Sequence, residues 1–184
     1  MHRELCLCAE MEPLRLDTRV VLLMHRREFA KTTNTGRLAL LSLANSELRL
    51  RGYPGEQVGG EDLVQGQGQP LLLFPDENAR ELDTEWVAEL RRPVTLIVPD
   101  GTWRQASKVL TRVPGLESVP RIRLSEGPPT VYRLRREIRE GGLATFEAIA
   151  RALGVLEGPE VQSRLEALFH LMVERTLRTR GHTP

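Results

Sequence analysis

The sequence predicts an α/β protein with a mostly parallel sheet flanked by helices. Three observations carry this. Short apolar runs rich in Val, Leu and Ile recur without polar alternation, as strands covered on both faces require. Segments with apolar residues at helical spacing fall between them, which is the alternation of a layered α/β sheet. The clearest unit is Val94–Val98, β-branched and apolar, followed at once by Pro99, Asp100 and Gly101 and by a helix start at Thr102.

The elements follow in order. Arg19 to Met24 reads as the first buried strand. Thr35 is placed to cap a helix from Gly36 to about Ala44, with Leu38, Leu41 and Ala44 inward. Glu47 to Arg51 is a short strand. Residues 52–69 hold six glycines and four glutamines and exceed a normal connection, so they form either a flexible lid or a tolerated insertion. Leu71 to Phe74 is the next strand. Asp76 to Leu90 reads as one helix, with Ala79, Leu82, Trp86 and Leu90 at helical spacing. Pro99 closes the Val94–Val98 strand. The helix Trp103–Arg112 opens with a capping box, in which the Thr102 hydroxyl takes the Gln105 N–H and the Gln105 side chain reaches back.

Pro114, Gly115 and Pro120 break the chain before an Ile122–Leu124 strand, and Gly127-Pro128-Pro129 marks a turn. Thr145 caps a helix to about Leu153. Residues 160–178 form the last helix, whose stripe of Val161, Leu165, Leu168, Phe169, Met172 and Val173 is either core or dimer surface. No repeat or linker divides the chain, so one domain over 1–184 is expected, with a short N-terminal extension over 1–18.

Composition sets bounds. A chain of 184 residues is long enough for one core. With 40% hydrophobic and 28% charged residues it matches an ordinary globular protein. No apolar run approaches the ~18 residues of a spanning helix and no signal peptide opens the chain, which predicts a cytoplasmic protein without a membrane partner. Cys6 and Cys8 are too close for an ordinary disulfide. A net charge of +1 does not mark a nucleic-acid binder. Clustering is more telling: Arg26, Arg27, Lys31 and Arg37 form one block, and Arg133, Arg135, Arg136 and Arg139 another. Meeting on one face, the blocks would bind phosphate; paired with Glu28, Glu137 and Glu140, they would be an ordinary solvated surface.

Asp100 is the first candidate for chemistry. Ligands of open α/β sheets bind beyond the carboxyl ends of strands, where Asp100 falls, and free helix N–H groups beside it suit an anionic group. Its plainer role is to shape the turn. Trp103 either packs with Ala106 and Leu110 or stacks on a base. Gly101 either admits a ligand to the backbone or serves a tight turn. Nothing in the chain suggests a Ser/His/Asp triad, a phosphate-binding glycine loop or a catalytic Cys–His pair.

Asp100-Gly101-Thr102-Trp103 resembles the signature of the DTW-domain family, and four further blocks fall in the family's order. Cys6-Leu7-Cys8-Ala9-Glu10 is similar to an N-terminal C-x-C. His25-Arg26-Arg27-Glu28, Lys31 and Thr33-Asn34-Thr35-Gly36-Arg37-Leu38 match a long block after the first strand. Leu73-Phe74-Pro75 matches a strand end. Tyr132 to Glu137, with Gly142-Leu143-Ala144-Thr145-Phe146-Glu147-Ala148, matches a late block. The resemblance spans residues 6–148. It implies a SPOUT-like sheet whose knotted C-terminal region wraps S-adenosylmethionine (SAM), and transfer of SAM's 3-amino-3-carboxypropyl group to N3 of a uridine in tRNA.

The resemblance also assigns residues. Asp100 would accept the N3 proton, orient N3–H or hold the arm's ammonium group; as a base its ordinary pKa of about 3.9 would need raising by burial. Thr102 and Trp103 complete the catalytic candidates. Leu73, Phe74, Pro75, Pro99, Gly101, Gly142 and Thr145 would bind SAM, Gly142 with Gly141 near its carboxylate and Thr145 either capping its helix or touching the ligand. RNA contacts fall to His25, Arg26, Lys31, Asn34, Arg37, Arg104, Arg133, Arg135 and Arg136. The chemistry requires no metal. Many members carry an earlier C-x-x-C that completes a four-thiolate site; here only His2 precedes Cys6 as a further candidate ligand, so no structural zinc is expected. The alternatives are a SPOUT-like RNA methyltransferase releasing S-adenosylhomocysteine, and an RNA-binding module without turnover.

Overall fold

A computed structural model describes residues 6–55, 58–66, 68–132 and 142–179. In chain order the elements are β1 Arg19–His25, α1 Arg26–Phe29, α2 Gly36–Ser42, β2 Ser46–Arg51, α3 Glu61–Gln65, β3 Gln69–Leu73 and β4 Arg80–Glu81. They continue with α4 Thr84–Glu89, β5 Val94–Asp100, α5 Trp103–Ala106, α6 Val109–Arg112, β6 Arg121–Arg123, α7 Thr145–Glu157 and α8 Pro159–Thr179. Among the described residues the strands form one six-stranded sheet in the order β2-β1-β5-β3-β6-β4. Every pairing is parallel. The α/β class and the parallel sheet are therefore as the apolar runs predict.

Side chains alternate between two cores across this sheet. Val20, Leu22, Met24, Leu71, Leu73, Leu96 and Val98 face α2, α4, α7 and α8. Val21, Leu23, Leu72 and Ile97 face the smaller layer made by Leu63, Val109, Val113, Leu116 and Val119. The five residues from Val20 to Met24 have no exposed surface. That two-sided burial explains why the strands carry no polar alternation. The α8 stripe divides: Leu165, Phe169 and Val173 are buried within the chain, with Phe169 stacked on Phe146 of α7 at 5.6 Å. No helix among the described residues is long and apolar enough to cross a membrane.

Several elements depart from the sequence reading. Asp76–Leu90 is not one helix. The Asp76 carboxylate accepts the Asn78 N–H at 2.9 Å, the chain runs through β4 beside β6, and Asp83 then caps a short helix by accepting the Trp86 N–H at 2.8 Å. Asp side chains that bond the local backbone compete with a continuous helix, and here they win at both ends. Pro99 does not close its strand: β5 pairs with β1 as far as Asp100. The β3 ladder ends at Ile97, so the N–H that proline lacks falls where β5 has one neighbour.

The helix expected over Trp103–Arg112 breaks at Ser107 and Lys108. The Arg51 guanidinium donates to the Gln105 carbonyl, the acceptor a continuous helix would offer to the Val109 N–H. In α2, Leu41 faces solvent and Ala39 faces the core, with Leu38 inward as expected. Residues 52–69 contain α3, whose Leu63 is buried and whose entry is held by a Gly60 N–H to Pro114 carbonyl bond of 2.8 Å. Gly60 and Leu63 are thereby anchored against the smaller layer.

Candidate functional site

The carboxyl ends of β1, β3 and β5 converge on Asp100. Asn34, in the turn before α2, donates its amide to Asp100 Oδ2 at 2.6 Å. Thr145, at the start of α7, donates its hydroxyl to Asp100 Oδ1 at 2.7 Å. Asp100 is 3% exposed. Three segments distant in sequence thus meet on one carboxyl group, a buried polar group held by hydrogen bonds as an interior requires. Gly36 packs behind it: a Cβ there would stand 2.6 Å from Asp100 Oδ2.

Thr35 was expected to cap α2 and does not. Asn34 takes that role, its Oδ1 accepting the Arg37 N–H at 3.1 Å, while the Thr35 hydroxyl accepts the Phe146 N–H at 3.3 Å. Thr145 likewise is not the cap of α7. The Glu147 carboxylate accepts the Ala144 N–H at 2.9 Å, and also bonds the Thr130 hydroxyl and the Val131 N–H. Glu147 is buried, and its three donors pin the 130–131 strand of chain to the start of α7. Tyr132 extends the tie, its hydroxyl donating to the Thr33 carbonyl at 2.5 Å.

Beside this cluster lies a cleft of about 660 Å³. Leu73, Phe74, Pro75, Pro99, Gly101, Gly142 and Thr145, the seven positions that the family resemblance assigns to the donor, all lie in its wall. Asp100 is not part of the wall; Thr145 and Trp103 are. Sequence reasoning missed the opposite wall, Leu124 to Thr130 and Arg151. Gly127-Pro128-Pro129 signalled only a turn. Arg151 carried no signal at all, being one more arginine on a helix. Its guanidinium donates to the Pro128 carbonyl at 2.6 Å, and its Nε has no hydrogen-bond partner among the described residues.

Trp103 is 39% exposed and tilts against Phe74, ring centres 5.7 Å apart. It is neither core nor fully free, but a wall shared with a more open depression of about 680 Å³ that Arg104 borders. Thr102 forms the expected capping box, accepting the Gln105 N–H at 3.3 Å and donating its own N–H to the Gln105 side chain at 2.8 Å. Its hydroxyl is thus used in starting α5.

The expected RNA contacts spread differently. His25 caps α1, its Nδ1 accepting the Arg27 N–H at 3.2 Å. Burial, then the charges of Arg51, Arg27 and Arg26, hold its pKa below the ordinary histidine value. Gly52, at φ +92°, lets the chain pass against the imidazole where a Cβ would stand 2.7 Å from Nε2. Arg26 donates to the Gly52 carbonyl at 2.8 Å and lies over the Tyr53 ring; Arg37 lies over Phe29. Lys31 pairs with the buried Glu28 at 2.6 Å. Asn34 belongs to the Asp100 cluster instead. Arg133, Arg135, Arg136, Arg139, Gly141, Glu137, Glu140 and His2 lie outside the described residues.

Cys6 and Cys8 are free. Hydrogen bonds from the Cys8 backbone and thiol lower the Cys6 pKa, and the same thiol bond raises that of Cys8.

Fold and site together define a parallel α/β protein with a ligand-sized cleft at its strand ends and a buried aspartate clamped beside it. The chain belongs to the DTW-domain family, whose profile matches residues 1–177. It is similar to tRNA-uridine aminocarboxypropyltransferase 2 of Drosophila melanogaster, 28% identical over 181 residues, which covers 94% of this chain and 70% of the fly protein. The proteins of the same name from Macaca fascicularis and Mus musculus are 25% and 24% identical over 160 residues, 84% of this chain. This chain spans 54% of the length of each of those two. No solved structure gives a significant match.

Proposed function

We propose that this chain transfers the 3-amino-3-carboxypropyl group of SAM to N3 of a uridine in tRNA, releasing methylthioadenosine. The observation that carries the reading is the convergence of seven positions from three separate segments on one cleft beside Asp100. The names of the relatives supply the reaction class. A cleft of about 660 Å³ is of the size that takes cofactor-sized ligands. Its apolar side, Leu73, Phe74 and Leu124, suits adenine and a thioether. Arg151, the sole cation among the described wall residues, is the partner for the arm's carboxylate, and Glu126 for its ammonium.

The chemistry asks little more of the protein. The leaving group is a neutral thioether and needs no general acid. N3 must shed a proton as it bonds to carbon, and the Asp100 carboxylate is the group assigned to receive it. Exposed Arg104 and the block at Arg26, Lys31 and Arg37, with Arg133, Arg135 and Arg136, are assigned to tRNA phosphates. The sheet is read as SPOUT-like, with residues 124–130 and α7 enclosing the donor; the crossover from β5 past β3 to β6 supports this. The cytoplasm is the compartment proposed along with a tRNA substrate.

The test is mass spectrometry of products after incubation with SAM and unmodified tRNA. Methylthioadenosine and a uridine heavier by one aminocarboxypropyl group are expected. S-adenosylhomocysteine with a methylated nucleoside would replace this reading with methyl transfer, and tRNA binding with no product would reduce the chain to a binding module.

A further inference from the structure

The carboxylate assigned as proton acceptor does not itself reach the cleft. Asp100 is 3% exposed and lies outside the wall, whereas half-buried Thr145 is part of it. A hydroxyl has one proton and two acceptor lone pairs. The Thr145 proton is committed to Asp100 Oδ1 at 2.7 Å, so toward the cleft its oxygen can act only as an acceptor. Among the described residues no donor bonds to that oxygen. Asn34 on Asp100 Oδ2 and Gly36 packed behind it hold the carboxylate in this orientation.

We infer that Thr145 meets the acceptor uracil, taking its N3 proton while passing its own to Asp100. This rests on the transferase reading above. The step balances. The N3–H bond breaks and its electron pair forms the N3–C bond to the donor's methylene. The C–S bond breaks and its pair stays on sulfur, turning the sulfonium into a neutral thioether. The N3 proton arrives on Thr145 Oγ1 as the Thr145 proton moves to Asp100 Oδ1. Asp100 ends as a carboxylic acid and returns the proton to water through the same hydroxyl after product leaves. Thr145 is then a catalytic residue and Asp100 acts through it.

Thr145→Val keeps the shape and removes the hydroxyl; Thr145→Ser restores it. The measurements are the single-turnover rate of uridine modification across pH and the dissociation constants for SAM and tRNA. The Val variant is expected to lose about 100-fold or more in rate, the usual scale of a proton-transfer contribution, with the tRNA dissociation constant within about threefold of the parent and any loss of SAM affinity far smaller than the loss of rate. The acid limb of the rate–pH profile, set by ionisation of Asp100, should vanish in the Val variant, and Ser should recover most of the rate. A Val variant within about threefold of the parent rate overturns the relay. So does loss of SAM affinity in step with rate, an unchanged acid limb, or a Ser variant as slow as Val. If the unaltered chain makes no aminocarboxypropyl uridine, the transferase reading fails first, before any variant is compared.

Discussion

Gly36→Ala tests the Asp100 cluster without removing any polar group. Gly36 opens α2 at an ordinary negative φ, so alanine is compatible with the backbone and should help it. Helix propensity favours the change by about 1 kcal/mol. Packing opposes it. The new Cβ would stand 2.6 Å from Asp100 Oδ2 and 2.7 Å from Leu22 Cδ2, where ordinary contact begins at 3.4 Å. Leu22 is fully buried and Asp100 nearly so, and neither offers the loose end of a flexible side chain. Overpacking of this kind costs about 1–3 kcal/mol. The net loss is about 0–2 kcal/mol, a fall of up to about 6 °C in melting temperature for a chain of this size.

The larger effect falls on transfer, because the carboxylate is the group that must yield, and moving it disturbs its bonds to Asn34 and Thr145. Loss of about 10-fold or more in rate is expected, with SAM affinity little changed. In an Asp100→Ala background the Asp100 contact is gone, so the cost of Gly36→Ala should shrink, a non-additivity readable by thermal denaturation. A Gly36→Ala protein that melts several degrees higher and retains its full rate would refute the reasoning.

Glu147→Ala leaves three donors, at Thr130, Val131 and Ala144, without their acceptor and should cost about 2–4 kcal/mol in chemical denaturation, with faster proteolysis around residues 125–132; unchanged denaturation would show that those bonds are replaced by water. His25 has a folded pKa below its unfolded value of about 6.5, so the unfolded chain binds the proton first and stability falls as pH drops through that value. His25→Asn keeps an acceptor for the Arg27 N–H, so its melting temperature should fall less between about pH 7 and 5.5 than the parent's; parallel curves would remove His25 from the pH dependence. Replacing Arg133 and Arg136 by alanine should weaken tRNA binding and flatten its salt dependence by about one to two units of log K per log salt; an unchanged slope would take them off the phosphate surface.

What could be read from the sequence follows the range of the physics behind it. The strands are legible because burial on both faces leaves a local mark: Val20 to Met24 and, Thr95 apart, Val94 to Val98 are apolar without alternation, and both lie on interior strands of the sheet. The Thr102–Gln105 box was legible because both partners sit within one turn. The misread helices failed where a distant or competing group intervened. The break after Ala106 is set by Arg51, which is 54 residues from its acceptor Gln105. The wall residue Arg151 could not be told from any other arginine, because only the return of the chain through Leu124 to Thr130 makes it face a cleft.

The Asp100 cluster shows why a short signature is incomplete as chemistry. The residues beside Asp100 in sequence, Thr102 and Trp103, start a helix and form a wall. The residues that fix its carboxylate, Asn34 and Thr145, lie 66 and 45 positions away. Each bonds through its own local geometry: Asn34 also caps α2 through Oδ1, and Thr145 opens α7 as Glu147 caps it. Orientation of the carboxylate is therefore coupled to the starts of two helices. A change that frays either start should reach the reaction as surely as one in the cleft, and this makes Gly36, which touches no ligand, the sharper probe of the site.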